Sequence, residues 1–184
     1  MTLFRETSDV SVRPAVPGDE TAIVAIQVEA WRRSHGELLG GAIDALDHDA
    51  MRGQWAAAVA APPAGHRVLV ACAGATVVGF ASIAPVPATD PTSAPGGLLL
   101  ALEVDPAHQQ GGHGSRLLAA AVDLLREDGA DQLLTWVLDG DTARAQFLSG
   151  AGLGPDDTVR ELASGTLPDG TTRTVREHRW WATI

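Results

Sequence analysis

Short aliphatic runs alternate along the chain with stretches whose apolar positions recur every three or four residues, and their order predicts the elements. Val10 to Arg13 reads as a first strand, and Pro14 to Asp19 supplies breakers and a helix N-cap. An amphipathic helix carrying Ile23, Ile26, Ala30 and Trp31 follows and is interrupted at Gly40 and Gly41. Asp44 to Ala61 predicts a second helix with Leu46, Met51 and Trp55, closed by Pro62 and Pro63. Arg67 to Ala73 and Thr76 to Ala84, both Val-rich and separated by a turn at Gly74, predict a hairpin. Pro85 to Gly97 holds four prolines among Asp, Ser, Thr and Gly, which predicts a loop and a candidate lid. Leu98 to Val104 reads as a buried strand. A glycine-rich turn leads from it into a helix with Leu117, Leu118, Ala121, Val122 and Leu125 on one face, ended by Gly129. Gln132 to Leu138 predicts another strand, and Asp141 caps a short helix with Phe147 and Leu148 that stops near Gly152. Thr158 to Ala163 and Thr174 to Ala182 close the series as strands, with Trp180 and Trp181 on opposite faces, one for the core and one free for a subunit interface such as a homodimer. Such an order implies an α/β (α+β) fold, a mixed sheet with helices on both faces.

Length and composition sharpen this. With 184 residues, 45% of them hydrophobic, the chain can bury one core, so residues 1–184 are expected to form one domain with its core at about 10–182. No apolar run approaches the ~20 residues of a membrane span, which predicts a cytoplasmic protein with no membrane partner. The single cysteine, Cys72, excludes an intramolecular disulfide and reads as a small buried hydrophobe. A net charge of −10 and the complete lack of lysine argue against a phosphate-neutralising surface, hence against a nucleic-acid partner, and favour a cationic acceptor.

The chemistry concentrates between Leu102 and Leu118, in a strand, turn and helix that reads Leu-Glu-Val-Asp-Pro-Ala-His-Gln-Gln-Gly-Gly-His-Gly-Ser-Arg-Leu-Leu. Successive backbone N–H groups and the positive end of a helix form an anion site, and glycines let phosphates approach the backbone. A P-loop needs a lysine that the chain lacks, and a dinucleotide fingerprint needs a glycine where Leu117 stands.

What fits is Gln or Arg, two residues, Gly, one residue, then Gly or Ala, present as Gln109, Gly112 and Gly114. Here the sequence resembles the GNAT superfamily of acyl-CoA-dependent N-acyltransferases. Val104-Asp105-Pro106 is similar to the family's strand exit, Ser115 to Leu118 to the start of its helix, Asp141 to Leu153 to its later helix, and Trp31 to Leu39 to its acceptor-side helix. The resemblance implies a mixed, mostly antiparallel central sheet with helices on both faces, and transfer of an acetyl group from acetyl-CoA to an amine of a small molecule or peptide by direct attack in a ternary complex. It places the pyrophosphate on Gln109, Gln110, Gly111, Gly112, His113, Gly114 and Ser115, and the pantetheine arm along Leu102, Glu103 and Val104, with Asp141, Arg144 and Phe147 beside the cofactor. The Val104 N–H would polarise the thioester carbonyl. No metal is implied, and the spacing of His108 and His113 defines no metal site.

One departure from the family stands out. A tyrosine usually follows Phe147 to protonate the leaving thiolate, whereas this chain has Leu148 and no tyrosine anywhere. A thiol with a pKa of about 8.5 leaves adequately as the thiolate, so the loss is survivable. Glu103 is the candidate general base, acting through water; its other reading is a solvated or arginine-paired acid. Trp31, His35 and Glu37 form a candidate acceptor site, or else a core tryptophan and two surface polar residues. Asp141 replaces the usual Asn as a cofactor hydrogen-bond acceptor or a plain N-cap, and His113 caps its helix or faces solvent. The alternative to an enzyme is a non-catalytic acyl-CoA-binding sensor or regulatory module, and beyond it an interaction domain that has lost the cofactor.

Overall fold

A computed structural model describes residues 10–39, 42–86, 95–166 and 170–184. The aliphatic runs become strands β1 (Val10–Pro14), β2 (Arg67–Ala73), β3 (Thr76–Val86), β4 (Gly96–Val104), β5 (Gln132–Leu138), β6 (Gly154–Thr166) and β7 (Thr172–Thr183). The helices are α1 (Glu20–Leu39), α2 (His48–Ala60), α3 (His113–Glu127) and α4 (Thr142–Gly150). The seven strands form one sheet in the order β1-β2-β3-β4-β5-β7-β6, antiparallel throughout except for the parallel pair β4 and β5. The expected mixed, mostly antiparallel sheet with helices on both faces is what forms.

Face alternation divides the core in two. Leu69, Val78, Ala81, Leu99 and Leu102 pack with Leu117, Ala121 and Leu125 of α3 and with Leu148 of α4. On the other face Val70, Cys72 and Phe80 pack with Ile23 and Ile26 of α1, and Trp55 of α2 meets Phe80 edge-on at 5.1 Å. Each of the larger fully buried side chains contributes roughly 1.5–3 kcal/mol, so α1 and α3 clamp the sheet from opposite sides. Cys72 is buried, as its apolar run implied. Trp180 packs against the α3-side core while Trp181 is 41% exposed. No helix among the described residues is long and apolar enough to cross a membrane.

Three boundaries depart from the sequence reading. The Pro85 to Gly97 loop is shorter than expected, because β3 runs through Val86 and β4 begins at Gly96, with Pro85 opposite Gly97; residues 87–94 lie outside the described residues. Gly97 is no turn residue: a Cβ there would sit 2.4 Å from a Leu125 methyl, so glycine lets α3 close onto the sheet. The second helix starts at His48 rather than Asp44, since the Asp47 carboxylate accepts the N–H groups of Asp49 and Ala50 and sets the cap. The last two strands run past the predicted Thr158 to Ala163 and Thr174 to Ala182 into one long hairpin.

Candidate active site

The sheet opens between β4 and β5. Their parallel ladder runs only from Gly96–Gln132 to Leu99–Thr135, where the buried Thr135 hydroxyl donates to the Leu99 carbonyl at 3.0 Å. Just beyond, Ser82 and Ile83 of β3 face Ala101 and Leu99, so Leu100 is an extra residue and β4 bulges away from β5. Antiparallel pairing then decides which backbone groups are free. Gly79 opposite Val104 is a non-hydrogen-bonded pair, because the Asp105 N–H reaches the Val78 carbonyl at 2.9 Å. By that alternation the N–H and C=O groups of Leu102 and Val104 point into the opening. In agreement, the Leu102 carbonyl accepts from Arg144 Nη1 at 3.2 Å and the Val104 carbonyl from Gln109 Nε2 at 3.4 Å.

The glycine turn sits where the sequence puts it, between a short 3-10 turn at Pro106–His108 and α3. Gln110 (φ 63°) and Gly112 (φ 78°) both take the left-handed conformation, and Gly112 is the N-cap of α3 without any side-chain cap. The first-turn N–H groups of a helix have no acceptor within it, so those after Gly112 are available to an anion. A Cβ on Gly112 would lie 2.9 Å from Arg116 Nη1, and one on Gly114 would lie 3.5 Å from the Phe147 ring. Arg116 Nη1 also donates to the Gly111 carbonyl at 3.0 Å, which bends the guanidinium back over the turn. A cradle poor in side chains, carrying a helix N-terminus and a cation, fits a pyrophosphate.

His113 is not a solvent-facing cap. It is 6% exposed, packs its ring 6.4 Å from that of His108, and leaves Nδ1 without a hydrogen-bond partner. Burial pushes its pKa down, helped by Arg116 and His108. The reason lies in helix geometry: Leu117, Leu118, Ala121 and Leu125 turn the buried stripe of α3 toward the sheet, and position 113 belongs to that stripe.

Two clefts meet at this opening. One, of about 610 Å³, runs along Leu102, Val104, the glycine turn and Phe147. The other, of about 970 Å³, lies on the α1 side between Trp31, Leu46, Trp136 and the β6–β7 hairpin. His35, Glu103, Asp141 and Arg144 line both. They are linked in series: His35 Nε2 lies 2.8 Å from Asp141 Oδ2, Asp141 Oδ1 accepts the Arg144 N–H at 3.0 Å, and Arg144 Nη1 lies 3.3 Å from Glu103 Oε1. The far end is anchored by Ser34, whose hydroxyl donates to the Ala30 carbonyl at 2.7 Å and lies 3.2 Å from His35 Nδ1.

Electrostatics differ along this chain. Burial pushes the Glu103 carboxyl above the usual glutamate value, against the pull of Arg144, His35 and Trp31. For Asp141 burial acts in the same direction, but the hydrogen bond from His35, the Arg144 N–H and the electrostatic pull of these two residues together hold its carboxyl below the usual aspartate value. Arg144 Nε is buried without a partner, the only such side-chain atom among the described residues besides His113 Nδ1, and both residues line the cleft beside the glycine turn.

Most of the sequence-derived residues therefore gather here: Leu102, Glu103, Val104, Gln109, Gln110, Gly112, His113, Gly114, Ser115, Asp141, Arg144 and Phe147 line one cleft, and Trp31 and His35 line the other. Glu37 falls in the last turn of α1, where side chains lie outside the described residues. Glu103 is arginine-paired, as its second reading held. Asp141 serves as N-cap, but its carboxylate is committed to Arg144 and His35 inside the protein. Sequence reasoning missed Ser34, Thr135 and the Leu100 bulge. Nothing local marks the His35–Asp141 contact, which spans 106 positions. Among the described residues no group of three or more His, Cys, Asp or Glu is placed to hold a metal ion.

Among solved structures, the PaiA N-acetyltransferase of Thermoplasma acidophilum in complex with coenzyme A superposes with a TM-score of 0.76 at 14% identity, covering 96% of this chain and 99% of that one. The ribosomal-protein-alanine N-acetyltransferase of Brucella melitensis gives 0.69 at 22% identity, covering 95% and 99%. YncA of Salmonella typhimurium with its cofactor acetyl-CoA gives 0.66 at 20% identity, covering 96% and 94%. At such identities the likeness is one of fold. No curated protein matches the sequence. The pattern of the acetyltransferase (GNAT) family matches residues 22–152, more than half of the chain, and the chain belongs to that family.

Proposed function

We propose that the protein transfers an acetyl group from acetyl-CoA to the amine of a small molecule or peptide, with both substrates bound together across the β4–β5 opening. Acetyl-CoA, when bound, supplies an acyl group on a thiol that leaves as the thiolate. The observation that carries the reading is the junction: two clefts, one beside a phosphate-fitting turn and one walled by tryptophans, meet at the Glu103 carboxylate and the backbone edge of Leu102 and Val104 that faces the opening rather than β3.

Each group then has a task. The backbone from Gln109 to Ser115 holds the pyrophosphate, and the open edge of β4 receives the pantetheine amides. The Val104 N–H points into the opening and polarises the carbonyl. A protonated amine cannot attack, so Glu103 takes its proton through water, and burial strengthens its grip on that proton. Arg144 stands one helical turn before Leu148, on the same face of α4. Its guanidinium supplies positive charge for the leaving thiolate, work that a proton from the absent tyrosine would otherwise do. The Asp141–His35 pair ties α4 to α1 and fixes Arg144 between the clefts.

A thiol-release screen over a panel of amines, with wild type and Glu103→Gln, tests this. The variant is expected to lose about 10²–10⁴-fold in kcat/KM. Unchanged turnover removes Glu103 from the chemistry. Tight acetyl-CoA binding with no release from any amine favours the sensor instead.

A further inference from the structure

Charge pairing in the larger cleft leaves one side chain over. Its acids are each matched: Glu103 by Arg144, Asp141 by His35, and Glu177 by Arg160 at 2.6 Å. In a chain with 23 acidic residues, most described arginines are likewise ion-paired. Among the described residues only Arg33, Arg116 and Arg173 have no carboxylate within ion-pair distance. Arg33 and Arg116 lie at the cofactor side, the first lining its cleft and the second folded over the glycine turn. Arg173 is half-buried and lines the larger cleft.

Its position is built. Arg173, Val175 and Glu177 alternate along one face of β7, and all three line the cleft. Arg173 pairs with Gly165 across a register shift in β6, and its carbonyl accepts from Ser164 Oγ at 3.4 Å. A Cβ on Gly165 would lie 3.9 Å from the Ala42 methyl, so the hairpin comes up to Ala42, and both line the cleft. Glu177 stands opposite Leu138 at the end of β5, and Arg173 is four residues further out, ~13 Å along the strand at ~3.3 Å per residue. A half-buried guanidinium fork with no carboxylate partner, lining an aromatic and aliphatic cleft, is suited to bidentate capture of an oxyanion.

From this we infer that Arg173 is the anion subsite of the acceptor cleft, and that the preferred acceptor is an amine that also carries a carboxylate or phosphate some distance from its nitrogen. The inference rests on the acetyl-transfer reading for the identity of the other end, where the amine meets Glu103. The acceptor then lies between Glu103 and Arg173, with its apolar body against Trp31, Trp136 and Leu46.

The test is kcat/KM for matched acceptors: a dipeptide against its C-terminal amide, and a phosphorylated amino alcohol against the free amino alcohol. Wild type should favour one anionic member by about tenfold or more, and the pair that responds identifies the oxyanion. Arg173→Gln should abolish that preference while changing the neutral member by less than about twofold, and Arg173→Lys should restore part of it. Preference for the neutral members, or a preference that survives Arg173→Gln, overturns the subsite. Should no amine release thiol, the acetyl-transfer reading fails separately. Thermal shift with the same anionic and neutral amines then decides: stabilisation by the anionic members in wild type but not Arg173→Gln upholds the subsite, and equal shifts overturn it.

Discussion

Replacing His113 by leucine is expected to stabilise the protein, contrary to the usual effect of changing a buried residue. The imidazole is 6% exposed and its Nδ1 has no partner, so it carries a desolvation penalty that no hydrogen bond offsets. Leaving such a group unsatisfied costs about 1–3 kcal/mol, and an apolar side chain of similar size removes that cost. For a domain of this length each kcal/mol corresponds to about 2–4 °C in Tm, so a rise of at least about 2 °C is expected near pH 8. The pH dependence carries a definite sign. Because the folded-state pKa is depressed, the unfolded chain binds the His113 proton more readily than the folded one. Wild-type stability therefore falls as the pH drops through the unfolded value of about 6.5, and keeps falling until the folded value is passed. His113→Leu lacks this loss, so its advantage should widen between pH 8 and pH 5.5. Denaturant or thermal unfolding of both proteins at the two pH values is the assay. A variant less stable at pH 8, or an advantage that does not grow on acidification, refutes the reasoning.

Two further outcomes follow from the linked residues. Asp141→Ala removes an N-cap worth about 1 kcal/mol and one member of a buried pair. A buried hydrogen bond goes with it, so the loss should exceed the cap alone; the partner left behind is an imidazole rather than a permanently charged guanidinium, so it should fall short of the about 3–5 kcal/mol of a pair whose survivor stays charged. Since the Asp141 carboxyl is held below the usual aspartate value, its contribution is full above the unfolded value of about 3.9, and the gap between wild type and variant should narrow as the pH falls below that in unfolding experiments. Glu103 titrates the other way: as a base it works deprotonated, so kcat/KM should rise with pH through a value above the ordinary glutamate one, and a limb at or below about 4.3 contradicts its assignment.

The strands and the glycine turn were legible because each is written in contiguous residues: β-branched runs for β2 and β3, the spacing of Gln109, Gly112 and Gly114 for the turn, the Leu117 to Leu125 stripe for α3. Where the reading failed, the deciding partner was distant in sequence. Gly97 looked like loop until Leu125 was seen to need its missing side chain, and His113 looked exposed until its helix was set on the sheet. The core of the site depends on such distant contacts. Glu103 was legible as a candidate from its strand, but its rise in pKa comes from burial in the folded protein, against the pull of Arg144, and the His35–Asp141 pair exists only once α1 and α4 meet.

The account turns on main-chain nitrogens of the Gln109 to Ser115 turn holding the diphosphate of acetyl-CoA. Calorimetric titration of acetyl-CoA into the protein, repeated with inorganic pyrophosphate at millimolar concentration, addresses this directly. Saturable heat of association that the pyrophosphate suppresses is the predicted result. No heat of association, or binding indifferent to pyrophosphate, contradicts it.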